Sequence, residues 1–442
     1  MAKPMKADNK HKLLSRIDRK YLVLTLIGVL LPFAIIATLV FHYGVNVPFG
    51  DDWSMVSIFQ HIDQGNLSFG DLWVQHNEHR IFFPRLAIIG VAYLTHWHQG
   101  ALMICNLIIS LISVAVLVAF VWRTIQNKAL AAATSTLVSF WFYSTVQWEN
   151  WLWGWQIEWF MCIASVLMTL LLVDLFVSRK EDAYRFGLIG IPAIIATFSL
   201  GSGALVLPIA LLWLVVRKVK RNYVVGGAAF SLLLIFIYYF HYTKPPDSTP
   251  TSYLFHHPIK VVAYFFVYIG RPLSDEVHVA GAAGLAAVVL MITAGIFLWR
   301  RRMYTAKFLP WIALLVFSLM ADAITTISRV GFGLEQAVSS RYTATSLLFY
   351  VGLTGLIATV ISLSKHPKKA YVAFAVVSAV LIIVSDVQGL SGFKSRSANM
   401  QVIKSCTHQA NPTKECLLVV IPGAGVSIND LNYIKDKHWA GY

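Results

Sequence analysis

Long apolar runs recur along the whole chain and limit its possible folds more than any other feature. Examples are Tyr21 to Phe41, Gln99 to Trp122 and Thr343 to Leu363, each close to the roughly twenty residues that a helix needs to cross a bilayer. Charged residues make up only 13% of the 442 residues, about half the usual share of a soluble protein. The sequence therefore predicts an all-α polytopic membrane protein embedded in a lipid bilayer.

We predict about eleven membrane-embedded helices. Their expected positions are 21–41, 100–122, 129–146, 157–177, 187–199, 203–216, 222–241, 279–299, 308–327, 343–363 and 370–386. The mostly apolar stretch between Arg185 and Arg217 has basic residues at both ends and a Gly/Ser break at residues 199–203. One crossing would put positive charge on both sides of the membrane, so we predict two short helices that meet at this break.

The net charge of +15 comes from basic residues that cluster on one predicted side of the membrane. Basic clusters recur at the same parity of crossing, at residues 3–20, 123–128, 179–185, 217–221, 300–307 and 365–369. Positive residues favour the cytoplasmic side, which predicts a multi-pass protein of the bacterial inner membrane with a cytoplasmic N-terminus and a periplasmic C-terminus. The basic character is thereby explained without nucleic acid.

We divide the chain into three predicted parts. Residues 1–20 form a basic cytoplasmic segment, and residues 21–390 form the transmembrane domain. Within that domain, residues 42–99 are the first outside loop, with short interfacial helices. Residues 391–442 form a small outside tail. Cys406 and Cys416 in this tail are either a disulfide or two free thiols, because spacing does not determine pairing.

An acidic pair follows the first predicted span. Asp51 and Asp52 lie just beyond the lipid, and adjacent carboxylates raise each other's pKa unless a cation compensates. Such a group suits a general base that accepts a proton from a hydroxyl nucleophile. The alternative is that an aspartate caps the following helix, and one residue could serve each purpose.

Five ionisable side chains lie close together later in the same loop. They are His76, Glu78, His79, Arg80 and Arg85. Arginine can fork onto phosphate oxygens, and histidine can donate to phosphate or bind a metal. A zinc site is the weaker interpretation because no matching ligand cluster occurs elsewhere. The remaining alternative is a solvated interfacial loop.

Two further outside segments carry candidate binding residues. The segment 147–156 has four Trp interleaved with polar groups, typical either of a membrane-interface belt or of a surface that packs against a sugar ring. The gap between two spans at residues 327–342 holds Arg329 and Arg341, which favour an anion clamp over simple snorkelling. Asp322, inside the preceding span, needs a partner, for which Arg329 is a candidate.

These segments together resemble the GT-C superfamily of integral-membrane glycosyltransferases, which use polyprenyl-phosphate sugars. The resemblance rests on the Asp51-Asp52 pair, the His-Asn-Glu-His-Arg segment of the same loop and the many spans. The Gln-Trp-Glu-Asn-Trp-Leu-Trp-Gly and Ser-Arg-Tyr stretches are similar to phage-type O-antigen serotype-converting glucosyltransferases. The resemblance covers about residues 20 to 390.

The resemblance implies a role for each group. Asp51 or Asp52 would be the base, and the phosphate of the donor would be held by Arg80, Arg85, Arg329, Arg341, His76 and His79. Sugar or acceptor would contact Glu78, Trp148, Glu149, Asn150, Trp153, Gln156 and Tyr342. No metal ligand and no certain cofactor are implied, although a divalent metal is possible.

The implied reaction moves a hexose such as glucose onto a hydroxyl of a surface glycan such as O-antigen, with inversion at the anomeric carbon. A donor-synthesising glycosyltransferase and a flippase are possible partners. Two other functions stay open: a lipid-linked glycan flippase or transporter, and a polysaccharide polymerase or ligase. A flippase needs a polar path to the cytoplasmic side, whereas the polar residues here crowd the outside.

Overall fold

The computed structural model describes residues 18–178, 181–246, 248–303, 306–364, 367–421 and 426–442. Most of the predicted basic N-terminal segment, residues 1–17, lies outside these ranges. The described residues are organised as α-helices and short 3-10 turns, and they form no β-strand. This agrees with the predicted all-α class.

Nineteen α-helices occur within the described ranges. They are α1 Arg19–Tyr43, α2 Val56–Asp63, α3 Phe69–Trp73, α4 Phe82–Thr95, α5 Gln99–Thr124, α6 Lys128–Phe142, α7 Trp148–Trp151, α8 Ile157–Val177, α9 Ala183–Thr197, α10 Val206–Val216, α11 Arg221–Tyr239, α12 Thr251–His256, α13 Pro258–Gly270, α14 Val277–Arg300, α15 Leu309–Arg329, α16 Thr343–Ser362, α17 Pro367–Thr407, α18 Lys414–Val420 and α19 Ile428–Asp436.

Nine helical segments of the described chain are long and apolar enough to cross a membrane. They contain α1, α5, α6, α8, α11, α14, α15, α16 and α17. With the shorter apolar helices α9 and α10, they match the eleven predicted segments one to one. The predicted polytopic fold is confirmed. One helix end differs, because α17 was expected to stop near residue 386 and continues to Thr407.

Helix ends that the basic clusters predict to share one side are joined by contacts. Arg123 at the end of α5 donates through Nε to Asp174 near the end of α8, at 2.6 Å. Lys128 at the start of α6 lies 3.7 Å from Asp18, which precedes α1. The ends of α5 and α8 and the starts of α1 and α6 thus face one side, called the basic side below. The opposite side is called the site side.

The predicted break between two short helices is present. Helix α9 ends at Thr197 and α10 begins at Val206, with a 3-10 turn at Gly201–Leu205 between them. Gly203 packs so closely against the Ala196 carbonyl that a Cβ atom could not fit without backbone movement. Helix α9 therefore begins and α10 ends on the basic side, and the turn between them lies toward the site side.

A second hydrophobic core forms on the site side, where the C-terminal tail folds back onto the first loop. Trp439 of the tail packs edge-on against Phe59 of α2, with ring centroids 5.1 Å apart, and the Ala440 amide donates to the His96 carbonyl. Cys406 and Cys416 form a disulfide, with Cα atoms 5.8 Å apart. The tail, first loop and outer part of α17 thus pack as one layer over the bundle.

Candidate active site

The acidic pair lies in a 3-10 turn, Gly50–Met55, between α1 and α2. Gly50 has a φ of +56°, a left-handed conformation that glycine adopts without strain. The ring of Trp153 lies 3.2 Å from where a Cβ atom of residue 50 would be. This tight turn sends the side chains of Asp51 and Asp52 into different surroundings.

Asp52 is buried and fully engaged with the protein. It is 2% exposed, and its Oδ2 atom accepts hydrogen bonds from the Phe49 amide and the Trp153 indole, each at 3.0 Å. Burial and the neighbouring Asp51 charge raise the pKa of Asp52 to about 7, although the two hydrogen bonds oppose the shift. Asp52 thus bonds back to the start of its own turn. It does not cap the following helix as one prediction had it, because Met55 is the N-cap of α2 and no side chain caps that helix.

Asp51 is the accessible member of the pair. Its side chain is 40% exposed, and its Oδ1 atom lies 3.6 Å from His76 Nε2. Burial alone would raise the pKa of Asp51, but the interaction with His76 and the charges of Arg341 and Arg329 outweigh it and hold that pKa below its usual value. Asp51 is therefore an ionised carboxylate next to cationic groups.

The histidines of the first loop form a small backbone-bridged turn. The amides and carbonyls of His76 and His79 exchange two hydrogen bonds of 2.8 Å. His79 Nδ1 accepts from the Gly201 amide at 3.2 Å, which ties the loop to the turn between α9 and α10. Burial, with the charges of His76 and Arg329, lowers the pKa of His79 to about 3, so its imidazole is neutral.

Arg329 pairs with the first loop and not with its own helix. Its Nη2 atom lies 2.6 Å from Glu78 Oε2, so the expected pairing of Arg329 with Asp322 is wrong. The side chain of Arg329 sits at the end of α15, facing the loop, whereas Asp322 is buried two turns earlier in the helix. The Glu78 carboxylate holds the guanidinium close enough to Asp51 for its charge to act there.

Arg341 is held by the Trp-rich segment. Its backbone amide donates to Glu149 Oε2 at 3.0 Å, and the Glu149 amide donates to Ser340 Oγ at 3.2 Å. The Arg341 guanidinium lies 5.0 Å from the ring centre of Tyr342, whose carbonyl accepts from Tyr268. These contacts bring residues 149, 341 and 342 of the predicted site together.

Arg80 and Arg85 are engaged with backbone carbonyls. All three donor nitrogens of Arg80 bond to carbonyls, those of Tyr238, Trp73 and Phe240. Arg85 Nη1 donates to two carbonyls of the first loop, at residues 72 and 74. Both arginines are 3% exposed. The structure thus uses both to shape the loop. Arg80 keeps little capacity for a phosphate, whereas Arg85 Nε has no hydrogen-bond partner among the described residues.

The Trp-rich segment is mostly buried. Trp153 is 4% exposed and is bonded to Asp52, while Asn150 donates to the Gln147 amide oxygen. Gln156 is buried as well. Trp148 is half-buried and packs against Gly392 of α17. Of the predicted sugar-contacting residues, Glu78, Trp148 and Glu149 keep some exposure, whereas Trp153 and Tyr342 are buried.

Four functional candidates were missed from the sequence. Glu158 and Tyr264 are buried at the site, where the Arg341 charge acts on both. Arg271 and Arg396 are also buried, and both approach Glu149. Each of the four lies in or beside an apolar stretch, where an ionisable residue is costly and usually functional. That cost was the signal that could have found them.

The site thus joins an ionised carboxylate to several guanidinium groups at one end of a membrane bundle. Asp51 can accept a proton, and the arginines can stabilise an anion. Within the described residues, no group of three or more His, Cys, Asp and Glu side chains is arranged to hold a metal ion.

Two solved structures are similar in overall course. The crystal structure of ArnT from Cupriavidus metallidurans bound to undecaprenyl phosphate has a TM-score of 0.46 at 11% identity, over 94% of this chain and 88% of that chain. ArnT from the same organism in the apo state has a TM-score of 0.34 at 13% identity, over 77% of each chain. No family model and no curated protein matches the sequence. Likenesses of this degree leave the function to be argued from the site.

Proposed function

We propose that the chain is a membrane glycosyltransferase of the GT-C type, which transfers a sugar from a polyprenyl-phosphate donor to a hydroxyl of a cell-surface glycan. The observation that carries the proposal is Asp51, an accessible and ionised carboxylate close to the guanidinium groups of Arg329 and Arg341. A base beside an anion-stabilising group is the pair that this transfer requires. Its place at the membrane surface suits a donor whose lipid lies in the bilayer.

The reaction is a single displacement. The acceptor hydroxyl gives its proton to Asp51 while its oxygen bonds to the anomeric carbon of the sugar. The bond from that carbon to the phosphate oxygen breaks, and the electron pair leaves with the polyprenyl phosphate. Arg341 and Arg329 stabilise the charge that develops on this phosphate. Attack opposite to the leaving group inverts the anomeric configuration.

The neighbouring residues have supporting roles in this scheme. Asp52, which accepts from the Phe49 amide and the Trp153 indole, holds the turn that presents Asp51. Glu78 and Glu149 orient the two arginines through the contacts described above. The partly exposed Trp148 offers aromatic surface to a sugar ring.

The finer assignment follows the sequence resemblance and remains part of the proposal. The sugar is a hexose such as glucose, and the acceptor is a glycan such as O-antigen. The site side is periplasmic in a bacterial inner membrane, with the N-terminus cytoplasmic. A donor-synthesising glycosyltransferase and a flippase would then supply the substrate.

A transfer assay tests the proposal directly. Purified protein in lipid nanodiscs receives polyprenyl-phosphate glucose labelled in the sugar, together with a lipid-linked glycan. We expect labelled glycan and stoichiometric polyprenyl phosphate, and neither product with Asp51→Asn. Absence of transfer with every hexose donor, combined with movement of a fluorescent lipid-linked glycan across liposomes, would instead identify a flippase. A polymerase or ligase would be recognised by its acceptor.

A further inference from the structure

Three arginines from distant parts of the chain lie in the neighbourhood of Glu149. The Arg341 amide and Ser339 Oγ donate to Glu149 Oε2, and Arg271 Nε donates to the carbonyl of Val338, the residue before Ser339. The charge of Glu149 acts on Arg271, Arg341 and Arg396. Arg271 follows α13, Arg341 precedes α16 and Arg396 lies on the outer part of α17. Asp275 also acts on Arg271, and Asp52 on Arg396.

Several donor nitrogens of this group have no hydrogen-bond partner among the described residues. They are Arg271 Nη1, Arg341 Nε, and both Nε and Nη2 of Arg396. Arg271 is 6% exposed and Arg396 is 7% exposed. Buried charged donors are normally satisfied, so their arrangement indicates a place for an acceptor-rich group.

One oxygen of each nearby carboxylate already accepts two hydrogen bonds. Glu149 Oε2 accepts from the Arg341 amide and from Ser339 Oγ, and Asp52 Oδ2 accepts from Phe49 and Trp153. The Arg396 guanidinium instead stacks over the Phe49 ring, 4.3 Å from its centre. A planar guanidinium fixed in this way keeps its donor edge available for a phosphate oxygen pair.

The number of arginines exceeds what one donor requires. A polyprenyl-phosphate sugar is a phosphodiester with a single negative charge, and the proposed function already assigns Arg329 and Arg341 to it. Arg271 and Arg396 remain, and both are buried.

We infer that Arg271 and Arg396 form a second anion-binding subsite beside Arg341, which takes a phosphate or diphosphate ester carried by the acceptor. The inference rests on the proposed function for the position of the donor. The acceptor is then itself an anionic molecule, anchored by its phosphate while its hydroxyl reaches Asp51. Lipid diphosphate-linked glycans and phosphorylated glycans share this chemistry.

Binding measurements on the full-length protein in nanodiscs test the subsite without turnover. Undecaprenyl phosphate is added to saturation, and then geranylgeranyl diphosphate or mannose 6-phosphate is titrated. We expect one of these two probes to bind alongside undecaprenyl phosphate, and its identity distinguishes the lipid-linked from the phosphorylated glycan. Arg271→Gln and Arg396→Gln should each weaken that probe at least about tenfold, the loss expected for one charged hydrogen-bonded contact.

Controls separate a binding loss from misfolding. The same two variants should bind undecaprenyl phosphate normally, Arg329→Gln should show the reverse pattern, and Arg301→Gln on the basic side should change neither affinity. Arg271→Lys and Arg396→Lys keep the charge and cover the case in which the glutamine variants do not fold.

The inference is overturned if both probes only compete with undecaprenyl phosphate, or if none of the arginine variants alters probe affinity. A protein that binds both molecules as expected but transfers no sugar would refute the proposed function and leave the subsite intact. A protein that transfers sugar but shows one shared anion site would refute the second subsite and leave the proposed function intact.

Discussion

Asp51 and Asp52 are neighbours in sequence but face different environments. Asp52 accepts two hydrogen bonds in a buried pocket, whereas Asp51 is accessible and lies beside His76. A base must contact its substrate, and only an exposed carboxylate can do so here. The structure therefore favours Asp51 as the base and Asp52 as the residue that positions it.

Asparagine variants separate these two roles. We expect Asp51→Asn to reduce transfer about a hundredfold to ten-thousandfold, the usual loss of a general base, with donor binding unchanged. Asp52→Asn keeps an oxygen that can accept from Phe49 and Trp153, so its rate should stay within about tenfold of the wild type. Initial rates at saturating donor measure both. The reverse ranking would assign catalysis to Asp52.

The dependence of rate on pH distinguishes the same two carboxylates independently. With a pKa of about 7, Asp52 gains a proton as the pH falls, and a reaction that used it as base would slow about tenfold per unit below that value. Asp51, whose pKa lies below its usual value, stays ionised. We expect kcat/KM to be nearly constant between about pH 5.5 and 8, and a tenfold fall per pH unit below 7 would contradict Asp51 as the base.

Arg341 and Arg80 are compared because both are site-side arginines, one proposed to bind phosphate and the other bonded to backbone carbonyls. Arg341→Lys should lower transfer about tenfold to a hundredfold, because lysine cannot form the bidentate contact to phosphate. Arg80→Lys removes contacts to three carbonyls, so it should lower the thermal stability and leave the activity of the folded protein near normal. Parallel melting curves and rate measurements separate the effects. Full activity of Arg341→Lys would contradict its phosphate role.

At the scale of elements, the turn between α9 and α10 supports the site from behind. Gly201 donates to His79, and Gly203 packs on the Ala196 carbonyl. This places irregular backbone inside the bundle, which is tolerated where protein surrounds it. The turn between α9 and α10 therefore stabilises the loop that carries His76 and Glu78.

Adding a methyl group at Gly203 tests its close packing on the Ala196 carbonyl. Gly203→Ala should destabilise the protein by about 1 to 3 kcal/mol, the usual cost of overpacking, and lower the melting temperature in detergent. Gly295→Ala is the matched control, because nothing lies within 4 Å of the added Cβ atom and alanine is the better helix former. Equal melting temperatures for the two variants would show that the turn has room to relax.

Helix α17 connects the bundle to the acidic turn. Asp386 of this helix accepts from Ser144 and Thr145, Gly392 packs on Trp148 and Arg396 stacks on Phe49. These contacts follow one face of the helix toward the acidic turn. The extension of α17 beyond residue 386 thus contributes directly to the site.

At the scale of the whole molecule, orientation determines which compartment the site faces. The basic clusters predict that reporters fused after Lys128, Lys220 or Lys369 are cytoplasmic and that one at Tyr442 is periplasmic. Alkaline phosphatase and green fluorescent protein fusions measure this. A cytoplasmic C-terminus would contradict the proposed orientation, although not the eleven segments themselves.

The sequence by itself determined the helical membrane class and the number of embedded segments. Hydropathy is a local property, so each apolar run marks a helix wherever it packs. The break between α9 and α10 was also predictable from the sequence, because basic residues flank both ends of one apolar stretch. The acidic pair and the two outside arginines were recognisable as charges placed beside lipid.

Only the tertiary structure decided which of those charges are available for chemistry. In the sequence, Arg80 and Arg329 both look like candidates for phosphate binding. In the structure, Arg80 donates to backbone carbonyls of distant residues, whereas Glu78 orients Arg329. Asp51 and Asp52 are distinguished by Trp153, about a hundred residues away, and Arg396 joins the site because α17 continues past the membrane. Burial and hydrogen-bond partners depend on contacts between distant segments, which no local pattern specifies.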